Sequence, residues 1–541
     1  MMSREWQSYA VYVLVTLAVL LPMLWPGYIL TMDMVFTPWL SLPSEVTSSY
    51  VFHAGLHLLN LIIPSSIIQK IMLASILLLS AIGMHRLIRH IAAHQDLSVG
   101  IYIASIFFAI NPFTYSRFMA GQYAVLLGYA LLPWLVRSLL AFAAKPGLKQ
   151  SLWLGGIVTL IGIVSIHTLA AVTVLGVVGA IIGWWRRKEQ RATLVKYGLI
   201  ALATFVVLSS YWLVPLLLGH GKTATTIANF TSADTQAFMT TGSNAFARIG
   251  NSVRLQGFWA EGRQLYLLPQ DRTILWGLSS LIIIALAIIG ARYLWRAQRA
   301  LVLWLGIATA IALLVASGLT NRLLEILPLG AGLREPHKLV MLVALSYGVF
   351  LAIGCGVCLE WLRRKHEVWY GPVAMLLVAL PFLYTRVMLW GFDGQLSPRH
   401  YPQDWFAARQ QLTQNAGNGR VLFLPWHSYM GFKFTGRIIA HPAPAFFGNG
   451  VIISNDPELD GAAGYAANER QQTLDRLVNP KSKPNSQTLA RELARQNIAY
   501  IVLTKDYDYQ KYGYIDSAPE IVKQEAYSTL TLYKNTAWRH P

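Results

Sequence analysis

The sequence predicts a polytopic α-helical membrane protein with about 11 transmembrane helices and a small C-terminal α/β or α+β domain. The chain has 541 residues, of which 55% are hydrophobic and only 13% are charged, and its mean hydropathy is +0.45. Soluble domains carry about 25% charged residues, so an ordinary globular enzyme is excluded. The composition changes after Trp390. We therefore predict a transmembrane domain over residues 1–390 and an extracytoplasmic domain over residues 391–541.

The basic residues indicate how the chain is oriented. Residues 391–541 hold 16 of the 44 Lys and Arg and 13 of the 25 Asp and Glu, which leaves 28 basic and 12 acidic residues in the apolar part. This excess lies between apolar runs, as is typical of cytoplasmic loops, and does not indicate a nucleic-acid partner. Cys355 and Cys358 share one apolar run, so neither a disulfide framework nor a four-ligand zinc site is predicted.

Apolar runs long enough to cross a bilayer need roughly 20 residues. The clear runs are Ala10–Leu30, Ile67–Leu87, Leu97–Ile110, Tyr123–Ala143, Leu194–Leu218, Thr273–Ala291, Ala300–Ala316, Leu339–Trp361 and Val368–Trp390. The stretch 152–185 is predicted to form two short helices that turn near residues 165–168, because this places every basic cluster on one side. The protein is thus predicted in the cytoplasmic (inner) membrane, with a cytoplasmic N-terminus and the region after Trp390 outside.

The first external segment, Thr31–Ser66, carries Asp33 directly after the first helix and a predicted amphipathic helix. Apolar residues recur at helical spacing over residues 51–62, which indicates a helix lying in the membrane interface. His53 and His57 lie on its other face at the i, i+4 spacing of a metal pair. Without a third clear ligand, they also fit polar-face histidines near lipid headgroups.

Two further external segments and the C-terminal region carry polar patterns. Gly219–Arg272 is a long polar stretch that includes Arg254 and Trp259, and Gly318–Lys338 ends in the ionisable run Leu333–Lys338. In the C-terminal region, strands are predicted over Val421–Pro425, Ala499–Thr504 and Thr529–Tyr533, with a helix over Ser486–Asn497.

Short segments of this chain resemble a known enzyme superfamily. Gly27–Asp33, Arg254–Trp259 and Leu333–Lys338 are similar to the arabinofuranosyltransferase-like branch of the GT-C membrane glycosyltransferases, and Val421–Pro425 and Tyr500–Lys505 resemble the C-terminal region of bacterial relatives. The resemblance implies a GT-C-like fold and a cell-envelope glycosyltransferase. It also implies a polyprenyl-phosphate sugar donor and a glycan or glycolipid acceptor, with membrane lipids around the protein.

The chemistry that this implies needs one base and cations for the departing phosphate. Asp33 is the candidate base, since it follows a membrane helix at the depth of a lipid phosphate, and direct displacement would invert the anomeric centre. Many GT-C enzymes have two acidic residues close together here, whereas Asp33 stands alone until Glu45. No cofactor is therefore assigned, and a divalent cation stays open.

Other polar residues are candidates for binding substrate. Arg334, His337 and Lys338 are the candidate ligands of the donor phosphate, with a snorkelling membrane rim as the alternative. Candidate substrate contacts are Glu335, Arg254, Trp259, His53 and His57.

Two other classes of function fit parts of the pattern. A flippase or transporter for lipid-linked glycans would carry ionisable residues at the membrane midplane, and the central thirds of the predicted spans are nearly devoid of them. A non-catalytic assembly protein would use the C-terminal domain as an interaction module. The sequence therefore favours chemistry at the outer surface.

Overall fold

The computed structural model describes residues 2–93, 97–272, 274–326, 330–333, 335–448, 450–458, 469–482 and 484–539. Within these ranges, nine helical segments of at least 18 residues are apolar enough to cross a membrane, and one of them, Val99–Met119, joins Ser98–Ala109 to Pro112–Met119; Tyr9–Met23 and Leu148–Val164 are shorter apolar helices. This confirms a polytopic helical membrane protein, with nine long apolar spans where about 11 were predicted. The helices run Met2–Leu20, Ser65–Ile91, Ser98–Ala109, Tyr123–Ala144, Leu148–Val164, Thr168–Arg186, Arg191–Leu217, Ile274–Ala297, Arg299–Ala316, Met341–Lys365 and Glu367–Tyr384.

The difficult stretch 152–185 forms two helices, as predicted. The first ends at Val164 and the second begins at Thr168. The turn is closed by the Ser165 side chain, whose Oγ accepts a hydrogen bond of 2.9 Å from the Thr168 hydroxyl. The basic residues at the two outer ends of this helical hairpin therefore lie at the same end of the helix bundle.

Two predicted spans were wrong at their C-terminal ends. The first helix was predicted to reach Leu30, but it ends at Leu20 and is followed by a 3₁₀ turn containing Pro22. The last was predicted to reach Trp390, but it ends at Tyr384. Trp390 lies instead in a left-handed turn, Leu389–Asp393, with φ of 53°. In both places the chain leaves the helix early to enter the polar region that carries the candidate site.

Short helices fill the segments between the long ones. They run Tyr50–Asn60, Pro112–Met119, Gly221–Ala228, Ser232–Ala237, Ala245–Val253 and Asn321–Ile326. The predicted interfacial helix is therefore present, and the segment predicted as a long polar loop contains three helices. The sequence prediction missed Pro112–Met119. It begins at Asn111, whose side chain accepts a hydrogen bond from the Thr114 amide, with Pro112 in its first turn.

The C-terminal region contains a five-stranded mixed sheet in the order β4-β1-β5-β7-β6. The strands are β1 Arg420–Leu424, β4 Val451–Ile452, β5 Ile498–Thr504, β6 Ile521–Ala526 and β7 Leu530–Asn535, and a separate hairpin pairs β2 Tyr429–Phe432 with β3 Arg437–Ala440. The helices are Gln403–Asn415, Ala443–Phe447, Glu469–Val478 and Ser486–Arg495. The three predicted strands and the predicted helix are present, and the hairpin is an addition.

The β2–β3 hairpin packs against the first external segment. Met32 forms a parallel bridge with Ile439, and the Ala440 amide donates a hydrogen bond of 2.8 Å to the Met32 carbonyl. Upstream, Tyr28 and Arg399 exchange two backbone hydrogen bonds, both of 2.8 Å. Backbone bonds thus join the C-terminal region to the segment that carries Asp33.

Candidate active site

Asp33 lies in a tight turn that is fixed to the short helix Pro112–Met119. The Thr31 and Met34 backbones bond to each other across this turn, and the Asp33 amide donates a hydrogen bond of 3.0 Å to the Ala120 carbonyl. Gly121 lies against the same turn with φ of +72°, and a Cβ there would collide with backbone atoms of Thr31 and Met34. The position of Asp33 therefore depends on a glycine about 90 residues further along the chain.

The Asp33 carboxylate lies among polar and charged groups from several parts of the chain. Its side chain is exposed to solvent, although protein surrounds it on nearly every side. The Tyr429 hydroxyl donates a hydrogen bond of 2.7 Å to Oδ1. Burial raises the pKa of the carboxyl, against the lowering effect of Tyr429, and the nearby Glu335 carboxylate raises it further. Asp33 is thus a reachable carboxylate with an increased affinity for a proton.

Glu335 brings the third predicted segment close to Asp33. Its carboxylate forms an ion pair with the Arg117 guanidinium and a second one, at 2.9 Å, with the Lys338 ammonium. Arg117 is completely buried, and the side chains of Glu335 and Lys338 are 6% and 8% exposed. Burial alone would raise the pKa of Glu335, but Arg117 and Lys338 together hold it well below its usual range. Glu335 is therefore a permanent anion between two cations.

His337 is fixed inside the same network. Arg117 Nη2 lies 2.9 Å from His337 Nδ1, and His337 Nε2 lies 2.8 Å from the Gln256 carbonyl. Because a guanidinium can only donate, Nδ1 is the acceptor, and Nε2 carries the hydrogen that it donates to Gln256. With both nitrogens engaged and the ring fully buried, His337 has no nitrogen free for the phosphate contact that the sequence predicted.

In the segment Arg254–Trp259, the contacts to the buried network come from residues between the two predicted residues, Arg254 and Trp259. Phe258 is buried and places its ring 4.2 Å from the Arg117 guanidinium, within the range of a cation–π contact. Glu261 follows shortly after Trp259. It accepts hydrogen bonds of 2.7 Å from the Ser116 hydroxyl and 2.8 Å from the Gly257 amide. This segment therefore encloses Arg117.

Gln122 connects the buried network to the candidate base. Its Oε1 accepts a hydrogen bond of 2.6 Å from Arg117 Nη1. That bond fixes the amide orientation, so the NH₂ group is the part that can face Asp33, and its proximity lowers the pKa of that carboxyl. The formal charges of Asp33, Glu335, Arg117 and Lys338 then sum to zero when Asp33 is ionised.

The remaining predicted residues lie apart from this group or outside the described residues. Arg334 falls outside the described residues. The exposed Arg254 side chain has its guanidinium 6.0 Å from the Trp276 ring. The half-buried Trp259 packs edge-on against Phe238. Their predicted sugar contacts stay predictions.

The predicted histidine pair lies on the interfacial helix. His57 Nδ1 hydrogen-bonds the Leu40 carbonyl at 2.6 Å, and burial lowers the pKa of His53. The described part of the chain contains no group of three or more His, Cys, Asp or Glu residues suited to a metal ion.

Sequence reasoning missed Arg117, Gln122 and Tyr429. Arg117 and Gln122 lie between two apolar runs, outside the three segments that carry the predicted residues, and Tyr429 is nearly 400 residues from Asp33. A lone arginine within an otherwise apolar and aromatic run was the available signal, because a buried arginine requires a partner.

The sequence matches one family model over most of its length. The model is described as "Alpha-(1->3)-arabinofuranosyltransferase, N-terminal GT-C domain", and it matches residues 48–534. Among curated protein sequences, none matches the chain significantly.

Solved structures share the fold at low sequence identity. The cryo-EM structure of the mycobacterial arabinofuranosyltransferase AftD superposes with a TM-score of 0.62 at 16% identity, covering 98% of this chain and 40% of that chain. A mutant of the same protein gives 0.60 at 16% identity, covering 99% and 42%. The apo oligosaccharyltransferase of Archaeoglobus fulgidus gives 0.50 at 11% identity, covering 99% and 75%. This chain thus spans about two fifths of the length of AftD.

Proposed function

We propose, from the premise that this chain belongs to the family of alpha-(1->3)-arabinofuranosyltransferase N-terminal GT-C domains, that it is a membrane glycosyltransferase for arabinofuranose. The donor in this proposal is a polyprenyl-phosphate sugar and the acceptor a hydroxyl of a glycan or glycolipid. A lipid phosphate suits a site at the end of a membrane helix, and the Asp33 amide bonds to Ala120, the residue that follows the apolar span Val99–Met119.

The observation that carries this proposal is the environment of Asp33. It is the carboxylate that solvent reaches in this network, whereas Glu335 is buried between Arg117 and Lys338. A general base must accept a proton from its substrate, and the raised pKa of Asp33 brings it closer to the operating pH than an ordinary aspartate. Glu335, with its lowered pKa, is a poor proton acceptor and serves as the fixed anion of the network.

The reaction that follows is a single displacement. The acceptor hydroxyl attacks the anomeric carbon and gives its proton to Asp33, while the bond from that carbon to the phosphate oxygen breaks. The polyprenyl phosphate leaves with the electron pair. One displacement inverts the anomeric centre. An α-linked product, which the family's description names, therefore requires a donor whose phosphate is β-linked.

The buried network holds the base and its surroundings in place. Arg117 fixes Glu335, His337 and Gln122, and Gln122 in turn faces Asp33. Lys338 is itself one of the predicted phosphate ligands, and it lies close enough to lower the pKa of Asp33. In this proposal, Lys338 contributes positive charge to the donor phosphate, and His337 positions Arg117.

The proposed location is the outer face of the cytoplasmic membrane. The clusters at Lys145–Lys149 and Arg186–Lys188 lie at the two outer ends of the hairpin formed by Leu148–Val164 and Thr168–Arg186, which supports a common cytoplasmic side. The candidate site and the C-terminal region would then face outward.

The test is transfer by Asp33→Asn from a synthetic short-chain polyprenyl-phosphoryl arabinofuranose to an arabinofuranoside acceptor. Asparagine keeps the size of the side chain and removes its basicity, so turnover should fall by roughly 10² to 10⁴ while donor affinity is retained. Asp516→Asn, which changes an exposed aspartate paired with Lys523, is the matched control and should keep full activity. Full activity in Asp33→Asn would refute the assignment.

A further inference from the structure

We propose that Arg399 and Arg437 form a binding site for the phosphate of the lipid-linked donor, beside the turn that carries Asp33. The proposal rests on the transferase function proposed above. It adds the residues that receive the leaving group, which neither the sequence patterns nor the family match assigns.

The two arginines converge where the C-terminal region meets the first external segment. Arg437 begins strand β3, and its Nη1 donates a hydrogen bond of 3.0 Å to the Thr31 hydroxyl. The Arg399 backbone pairs with Tyr28, and its guanidinium reaches the hairpin turn, 3.9 Å from where a Cβ on Gly436 would lie. One arginine is thus anchored through its side chain and the other through its backbone.

Neither arginine of this pair forms an ion pair within the described residues. Arg437 is half-buried, and Tyr115 and Arg399 lie close enough to change its pKa. Burial, together with the neighbouring Arg399, lowers the pKa of Arg437. Holding two guanidinium groups together without a carboxylate costs free energy, and an anion bound between them would offset that cost.

The charge of the catalytic network requires such cations. Asp33, Glu335, Arg117 and Lys338 sum to zero, so the charge that Lys338 offers to a phosphate is shared with Glu335, and further cations would stabilise the charge that grows as the phosphate leaves. Arginine binds phosphate through two parallel N–H donors and stays charged, which suits a leaving phosphate better than a single ammonium does.

The position of the pair fits the geometry of the displacement. Thr31, which Arg437 contacts, is two residues before Asp33, and two residues span at most about 7 Å. The base and the leaving phosphate must lie on opposite sides of the anomeric carbon in an inverting transfer. A sugar ring placed between Asp33 and the arginine pair would meet this requirement.

The same phosphate chemistry occurs in phospholipid headgroups, so the test must separate the two sources. The probe is farnesyl phosphate, a short-chain form of the leaving group, and its affinity is measured in nanodiscs of zwitterionic lipid. Arg399→Gln and Arg437→Gln should each weaken its binding by roughly 10-fold or more, as expected for a hydrogen bond to a charged group. Farnesol, which lacks the phosphate, should bind equally to all forms.

Two controls keep the result interpretable. Arg420→Gln removes an exposed arginine of strand β1 that also lies near another arginine, Arg470, and it should leave the affinity unchanged. Arg437→Lys keeps the charge and should lose less affinity than Arg437→Gln. The Arg399 side chain forms no hydrogen bond among the described residues, so Arg399→Gln tests the site without disturbing the hairpin.

The outcomes are distinct. Unchanged farnesyl phosphate affinity in both glutamine variants would overturn the proposal while leaving the role of Asp33 intact. Phosphatidylglycerol in the nanodiscs is expected to leave farnesyl phosphate binding unchanged in the wild type. If it weakened binding in the wild type but not in the arginine variants, the site would belong to a headgroup and the donor assignment would be wrong. Full activity of Asp33→Asn would instead refute the proposed function.

Discussion

The buried ion pairs around Glu335 predict that substitutions of their members change the free energy of unfolding in a non-additive way. Wild-type Arg117, Glu335 and Lys338 carry a net charge of +1, and Glu335→Gln raises it to +2 in a site that is almost closed to water. Removing one partner of a buried pair costs about 3–5 kcal/mol. Arg117→Met leaves the neutral pair of Glu335 and Lys338, so it should cost less, about 1–3 kcal/mol.

The double variant should therefore be about as stable as Glu335→Gln alone, instead of less stable by the full cost of Arg117→Met. Adding Arg117→Met to Glu335→Gln returns the net charge to +1, which should recover about 2–3 kcal/mol as coupling energy. The free energy of unfolding is measured at pH 7 in mixed SDS and maltoside micelles. The low pKa of Glu335 keeps it ionised there, so its contribution is present throughout the neutral range and is lost only as pH falls through that pKa.

An exposed pair provides the comparison. Glu360 and Arg364 are 2.6 Å apart, but their side chains are 43% and 74% exposed. Glu360→Gln should therefore cost less than about 1 kcal/mol. If Glu335→Gln costs no more than Glu360→Gln, or if the effects of Arg117→Met and Glu335→Gln simply add, the account of a closed charge network is incorrect.

Three further changes test the site and the orientation. Gly121→Ala should reduce transfer by about 10²-fold with little loss of donor binding, because the new methyl group displaces the turn that holds Asp33; kinetics showing normal turnover would contradict this. Tyr429→Phe removes a hydrogen bond that lowers the pKa of Asp33, so the acidic limb of the pH–rate profile should move to higher pH. If that limb does not move, Tyr429 does not set the pKa of the general base. Reporter fusions at Lys149 and Lys188 should both report the cytoplasm, and opposite sides would exclude the proposed topology.

The sequence predicts the membrane architecture well because that architecture follows from one physical requirement. A helix that crosses hydrocarbon must be about 20 residues long and apolar, and this pattern is local. The hairpin at residues 165–168 was predicted from charge alone for the same reason. The ends of the spans at Leu30 and Trp390 were wrong because the chain leaves the membrane there to make long-range contacts, which hydropathy does not describe.

The site is only partly predictable for a related reason. The segments with Asp33 and Glu335 were found because they place ionisable groups next to helix ends. Arg117 and Tyr429 were missed because their partners lie 218 and 396 residues away. Likewise, the sequence could not show that both ring nitrogens of His337 are engaged, because burial and its partners are properties of the folded chain.

The hydrogen bond between the Ala440 amide and the Met32 carbonyl has a mechanical consequence. Because it joins the residue before Asp33 to the end of the β2–β3 hairpin, a force or a bound ligand that pulls on the C-terminal region would act directly on the backbone of the base. Binding of the acceptor to the C-terminal region, far from the membrane, could then shift the Asp33 carboxylate slightly. No movement of the helices would be needed.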